Sequence, residues 1–204
     1  MASAPQLTLS SSTNTSQQSE GDIRLSAIDI GSNSIRQTIA DVSPTGIIRV
    51  VDEMKAAPRL GAGLSKRGSI GEIAIQNALS TLSRMATLAN QLGVKRTEVV
   101  ATSAVREASN GDQFLRLVRS ETGLKIKILR GEDEARLAFR SALAHFDLAV
   151  GRAVVMDIGG GSLELNQYFA AERRGYQVVR YRHRIEFNPA DDSRRLAHRS
   201  DSGR

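Results

Sequence analysis

The stretch "RLSAIDIGSNSIRQTIADV", Arg24 to Val42, sets two strand patterns on either side of a small polar turn. "RLSAIDI" reads as a buried strand, and "SIRQTIADV" alternates like a second. "SPTG" (Ser43 to Gly46) has the chemistry of a turn, and "IIRVVDEMKA" after it reads as a third strand. The chain therefore opens as an antiparallel meander. Beyond the glycine-rich "LGAGLSKRG", Ser69 and Glu72 have the S-x-x-E spacing of a capping box. The helix expected there places Ile75, Leu79, Leu82, Ala86, Ala89 and Leu92 on one stripe and ends at Gly93. "EVVAT" is a short strand, and "SAVREASNGDQFLRLVRSETG" is mostly helical, with Phe114, Leu117 and Val118 inward. "KIKIL" is a strand. "GEDEARLAFRSALAHF" is a helix with Ala135, Leu137, Ala138, Leu143 and Phe146 available for burial, and "RAVVMDI" opens a further strand. Three leading strands followed by alternating helices and strands predict an α/β fold, a mixed sheet with helices packed on it.

Composition narrows the chemistry. The 204 residues include no cysteine and only three histidines, which excludes disulfides and thiolate metal sites and disfavours zinc. No apolar run approaches the roughly 20 residues that span a bilayer. Residues 1–22 are polar, without Lys, Arg or a long apolar core, and read as a disordered lead-in rather than a secretory signal. The expectation is a cytoplasmic protein with no membrane partner. The formal charge is +6, but much of it lies after Leu165, where nine Arg face five Asp/Glu. That segment holds all three tyrosines and no lysine, whereas all five lysines precede it. A solvated tail explains this basicity better than a nucleic-acid arm.

Two turns share one design: "DIGSNS", from Asp29, and "DIGGGS", from Asp157. Gly and Ser in a hairpin turn can aim several backbone N–H groups into one hollow, and glycine admits an anion closely because no Cβ intervenes. Asp29 and Asp157, at the strand ends, would hold a divalent cation that bridges to phosphate rather than touch phosphate themselves. Either turn alone is equally well a plain tight hairpin; the repetition favours phosphate. Neither is a Walker A motif nor a dinucleotide fingerprint. Arg106, in "TSAVREASN" after a strand, can fork onto phosphate oxygens, although a lone Arg there is more often structural. "GEDEARLAF" offers Glu132, Asp133 and Glu134 at a helix start, where acids ordinarily complement the helix dipole. A general base would be one of them, and the segment does not say which. Glu164, on the strand after the second turn, can join Asp157 at a metal, though such residues are usually only exposed.

Together "AIDIGSNSIR", "RLGAGL", "ATSAVREASN", "ILRGEDEARLAF" and "VVMDIGGGSLEL" resemble, in order and spacing, the exopolyphosphatase / guanosine pentaphosphate phosphohydrolase (Ppx/GppA) family. The resemblance covers about Arg24 to Leu165. It implies ribonuclease-H-like subdomains of the actin–Hsp70–sugar kinase (ASKHA) fold facing a cleft. It also implies phosphate loops at Gly31, Ser32 and Asn33 and at Gly159, Gly160, Gly161 and Ser162. Arg106 then matches a phosphate-contacting arginine, Glu134 the catalytic base, and Asp157 and Glu164, with Asp29, the metal-side carboxylates. The implied cofactor is Mg²⁺ or another divalent cation. The implied reaction is release of terminal phosphate from polyphosphate, or from guanosine pentaphosphate (pppGpp), and a homodimer is compatible with it. A reading from another class is a non-catalytic phosphate- or alarmone-binding fragment. An actin-like or sugar-kinase-like nucleotide protein is disfavoured by the short chain.

The match has limits. Leu163 stands where the family often has threonine, and the composition break near Asn166 fits a truncated or frame-shifted reading. The expected organisation is a lead-in over 1–22, a first ribonuclease-H-like subdomain over 23–150 and the opening hairpin of a second over 151–168. An arginine-rich tail over 169–204 completes it, and robust turnover by so short a chain is not expected.

Overall fold

The computed structural model describes residues 21–146, 151–158, 163–171 and 175–181. The opening meander forms as expected: β1 (Ile23–Ile30), β2 (Ile35–Val42) and β3 (Ile48–Ala56) pair antiparallel, with a register shift between Ile39 and Ala40. The Ser43–Gly46 turn closes with Gly46 N–H donating to the Ser43 carbonyl at 2.9 Å, and Gly46 at φ 86° takes a conformation that a side chain would strain. β4 (Arg96–Ala101) adds to β1 in parallel and β5 (Ile126–Ile128) to β4, giving the order β3-β2-β1-β4-β5. This is the mixed sheet that the sequence pattern predicts. A second sheet, β6 (Gly151–Ile158), β7 (Leu163–Ala171) and β8 (Gly175–Tyr181), is antiparallel throughout. β8 stands in the segment read from sequence as tail.

Among the described residues five helices accompany the sheets: α1 (Leu64–Arg67), α2 (Glu72–Gln91), α3 (Ser103–Glu107), α4 (Gly111–Thr122) and α5 (Gly131–His145). α2 and α4 pack together with the inward face of the first sheet. Ile28, Ile30, Ile35, Val99 and Ala101 meet Ile75, Leu79, Leu82, Met85, Phe114 and Val118 in one core. Burial of a side chain of this size stabilises by about 1.5–3 kcal/mol, before entropy is counted. Gln37 is drawn into this core as well; its amide donates to Ser26 Oγ (3.1 Å) and to the Met85 carbonyl (3.0 Å). At the end of these strands where β1 starts and β2 finishes, Arg24 forks onto Asp41, with Nε and Nη2 each 2.8 Å from a carboxylate oxygen. Its Nη1 donates to the Leu92 carbonyl at the end of α2.

Four local expectations change. The capping box does not form: α2 starts at Glu72 with Gly71 as N-cap and no side-chain cap. The preceding segment is instead held by Asn110, whose amide side chain accepts from Ile70 N–H (2.8 Å) and donates to the Ile70 carbonyl (2.9 Å). The stripe on α2 runs through Ala78 and Met85, and Ala86 is only partly buried. The helix expected after β4 is two helices, parted at Ala108–Asn110. On α5, Ala135 and Phe139, four apart, are buried; Leu137, on the other side of the turn, and Phe146, past the helix end, are exposed. The Leu143 side chain lies outside the described residues.

Candidate active site

β1, β4 and β5 run parallel, so their carboxyl ends leave the sheet on one side, where the following loops fan out. Backbone bonds hold that fan: Thr102 N–H donates to the Ile30 carbonyl at 3.2 Å, and Leu129 N–H to the Ala101 carbonyl at 2.9 Å. The hairpin loop after β1 closes with Gly31 N–H donating to the Ser34 carbonyl at 3.0 Å. A Cβ on Gly31 would lie 3.2 Å from that oxygen, so the tight closure favours glycine.

The loop is braced from two sides. Ser32 Oγ and Ser103 Oγ, at the start of α3, are hydrogen-bonded at 3.0 Å. From the other side, Gly61 N–H donates to the Ser32 carbonyl (2.8 Å) and Arg59 N–H to the Asn33 carbonyl (3.1 Å). A Cβ on Gly61 would sit 3.1 Å from Ser32 Cβ, close enough to push the loop. Ser103, Arg59 and Gly61 were not singled out from the sequence. Their signal was present, because "RLGAGL" and "ATSAVREASN" belong to the motif set, but no role attached to those positions.

α3 carries Arg106 one helical turn beyond Ser103. Its Nη1 donates to the Leu129 carbonyl at 2.7 Å and, at a longer 3.3 Å, to Glu134 Oε2 near the start of α5. Both side chains are about four-fifths buried, with 20% and 18% of their surface exposed. The neighbouring acids differ. Glu132 is exposed, and Asp133 accepts a long 3.5 Å bond from Arg130 at the surface. Among the three acids the structure brings Glu134 to Arg106, and Arg106 is linked through α3 and Ser103 to the Gly31–Asn33 loop. Asp29, exposed near the end of β1, is the register partner of Arg36 on β2 and of Val100 on β4.

In the second sheet Asp157 and Glu164 are register partners across β6 and β7, one pair before the Ile158–Leu163 pair that closes the hairpin. Gly159, Gly160, Gly161 and Ser162 lie outside the described residues. The donor set suits Mg²⁺, a hard cation that takes oxygen ligands and completes its octahedron with water and substrate phosphate. Among the described residues no cluster of three or more carboxylate or imidazole ligands forms.

Residues 38–172 match the model of the Ppx/GppA phosphatase family. The chain belongs to that family. Exopolyphosphatase 1 of Mycobacterium leprae is 38% identical over 144 residues, covering 71% of this chain and 42% of the relative. The guanosine-5'-triphosphate,3'-diphosphate pyrophosphatase of Aliivibrio fischeri is 34% identical over 139 residues, covering 68% of this chain and 28% of its own. Among solved structures, the Ppx/GppA protein of Aquifex aeolicus superposes with a TM-score of 0.65 at 30% identity, over 78% of this chain and 51% of that one. An exopolyphosphatase of Cytophaga hutchinsonii superposes with a TM-score of 0.69 at 27% identity, over 86% and 53%. The chain thus spans less than half the length of these curated family members and about half of the solved ones.

Proposed function

We propose that this chain carries the first subdomain and the beginning of the second of a phosphoanhydride hydrolase that removes terminal phosphate from inorganic polyphosphate in the cytoplasm. The observation that carries the reading is that α3 ties two contacts together: Ser103 is hydrogen-bonded to Ser32 of the first loop, and Arg106, one turn further along the helix, is bonded to Glu134. It joins the Gly31–Asn33 turn, a guanidinium and a carboxylate at one end of the parallel strands.

In this reading the Gly31–Asn33 loop and the residues Gly159 to Ser162 supply N–H and hydroxyl donors to the terminal phosphoryl group. Arg106 turns its remaining N–H groups to the same oxygens. Glu134 holds water in line with the bridging P–O bond and takes its proton. Water oxygen bonds to phosphorus, the bridging bond breaks, and the shortened chain leaves as the other product. Asp157, Glu164 and Asp29 would hold a divalent cation, which would supply neutralisation of phosphate charge. Most of the acceleration comes from placement and fixed dipoles, because phosphoryl transfer asks for little covalent work by the protein.

The similarity to the Aliivibrio fischeri pyrophosphatase favours a second substrate, pppGpp, at the same groups. Phosphate release from polyphosphate and from pppGpp with Mg²⁺, by the chain and by Glu134→Gln, tests the assignment. The variant should lose at least a hundredfold in release while still binding the oligophosphate. Equal release by both proteins rejects Glu134 as the base.

A further inference from the structure

An open cavity of about 640 Å³ lies beside the brace of the first loop, lined by Pro58, Arg59, Ala62, Gly63, Arg67 and the first turns of α2. Two guanidiniums line it. Among the described residues neither Arg59 nor Arg67 meets a carboxylate within 4.0 Å. Arg67 is seated rather than free: its Nη2 donates to the Ala62 carbonyl at 2.5 Å. Two glycines make the seat. A Cβ on Gly63 would fall 2.6 Å from Arg67 Nη1, and one on Gly71 would fall 3.2 Å from Nη2. Arg59 has φ 57°, the only positive φ at a non-glycine among the described residues. Such a backbone is strained for an arginine and would suit Gly or Asn better. The one acid on the lining, Glu72, accepts from Gln76 at 3.1 Å. Two cations therefore face one engaged carboxylate.

The position matters as much as the charge. Arg59, which lines the cavity, gives its own N–H to the Asn33 carbonyl. The cavity thus starts at a residue bonded to the first loop. We infer that it receives the continuing phosphate chain of an oligophosphate whose terminal phosphoryl group lies at the Gly31–Asn33 loop, with Arg59 and Arg67 pairing its second and later phosphates. This rests on the site proposed above. The shared ligand chemistry is a linear chain of at least three phosphates, whether bare polyphosphate or the triphosphate of a nucleotide.

Isothermal titration of the 204-residue chain with pyrophosphate, tripolyphosphate and GTP, at fixed ionic strength, tests the inference. Arg67→Gln and Arg59→Asn, both at exposed positions, should weaken tripolyphosphate about tenfold and pyrophosphate less than twofold. A parallel loss with GTP shows that the cavity takes a triphosphate from either source, and an undisturbed GTP affinity assigns it to bare polyphosphate. If both variants keep full tripolyphosphate affinity while Arg106→Gln loses it, the cavity is rejected and the site reading stands. Binding that survives Arg106→Gln but vanishes in Arg67→Gln reveals a separate anion site and rejects the continuity. A wild-type chain that binds none of the three overturns both.

Discussion

Replacing Asp41 by Asn tests how the first sheet is anchored to α2. The Asp41 side chain is fully buried and that of Arg24 is 14% exposed, so neither charge is strongly screened by water. The variant keeps the shape but leaves the Arg24 guanidinium with a neutral partner in a poorly solvated place. Breaking a buried pair in this way costs about 3 kcal/mol, a large share of the 5–15 kcal/mol that holds a typical domain. The pair also has a pH signature. The bond from Arg24, aided by its charge and by that of Arg49, holds the Asp41 carboxyl below the usual aspartate range against the opposing effect of burial. A depressed carboxylate stabilises the fold above its unfolded value, near 3.9, and that stabilisation is lost as pH falls through the folded value. Urea unfolding from pH 7 to pH 3 should therefore show wild type well above Asp41→Asn at neutral pH and the two converging in acid. The double change Arg24→Met with Asp41→Leu removes both charges and should recover most of the loss. A stability for Asp41→Asn within about 0.5 kcal/mol of wild type at pH 7, or a gap independent of pH, refutes the reasoning.

Two further changes probe the site's supports. Gly111→Ala puts a Cβ 2.3 Å from the Val105 carbonyl, a backbone atom that cannot swing aside. It should cost about 3 kcal/mol in thermal unfolding and, by displacing the residue next to Arg106, also weaken tripolyphosphate binding. Unchanged melting would show that α3 and α4 are free to part. Ser103→Ala removes the 3.0 Å bond to Ser32. Stability should stay within about 1 kcal/mol, while tripolyphosphate affinity measured by titration should fall severalfold; equal affinity would mean that the loop needs no brace from α3.

What could be read from the sequence, and what could not, divides by the range of the interaction. The strands of the meander were legible because alternation and turn chemistry act within a few residues. The pairing of Asp157 with Glu164 was within reach for the same reason: a hairpin that closes at Ile158 and Leu163 makes the next pair out 157 and 164. The start of α2 was not legible, because the group that holds Ile70 belongs to Asn110, forty residues away. No local rule distinguishes that segment from a capping box. The choice among Glu132, Asp133 and Glu134 has the same character. All three satisfy the dipole at the start of α5, so helix physics ranks them alike. What separates them is where β5 ends: the Leu129 carbonyl anchors Arg106, and from there the guanidinium meets Glu134. A carboxylate set apart by a partner on another helix is invisible to periodicity. The family motif points to the same residue; the geometry adds its contact with Arg106, and its role as base is the proposal that Glu134→Gln tests.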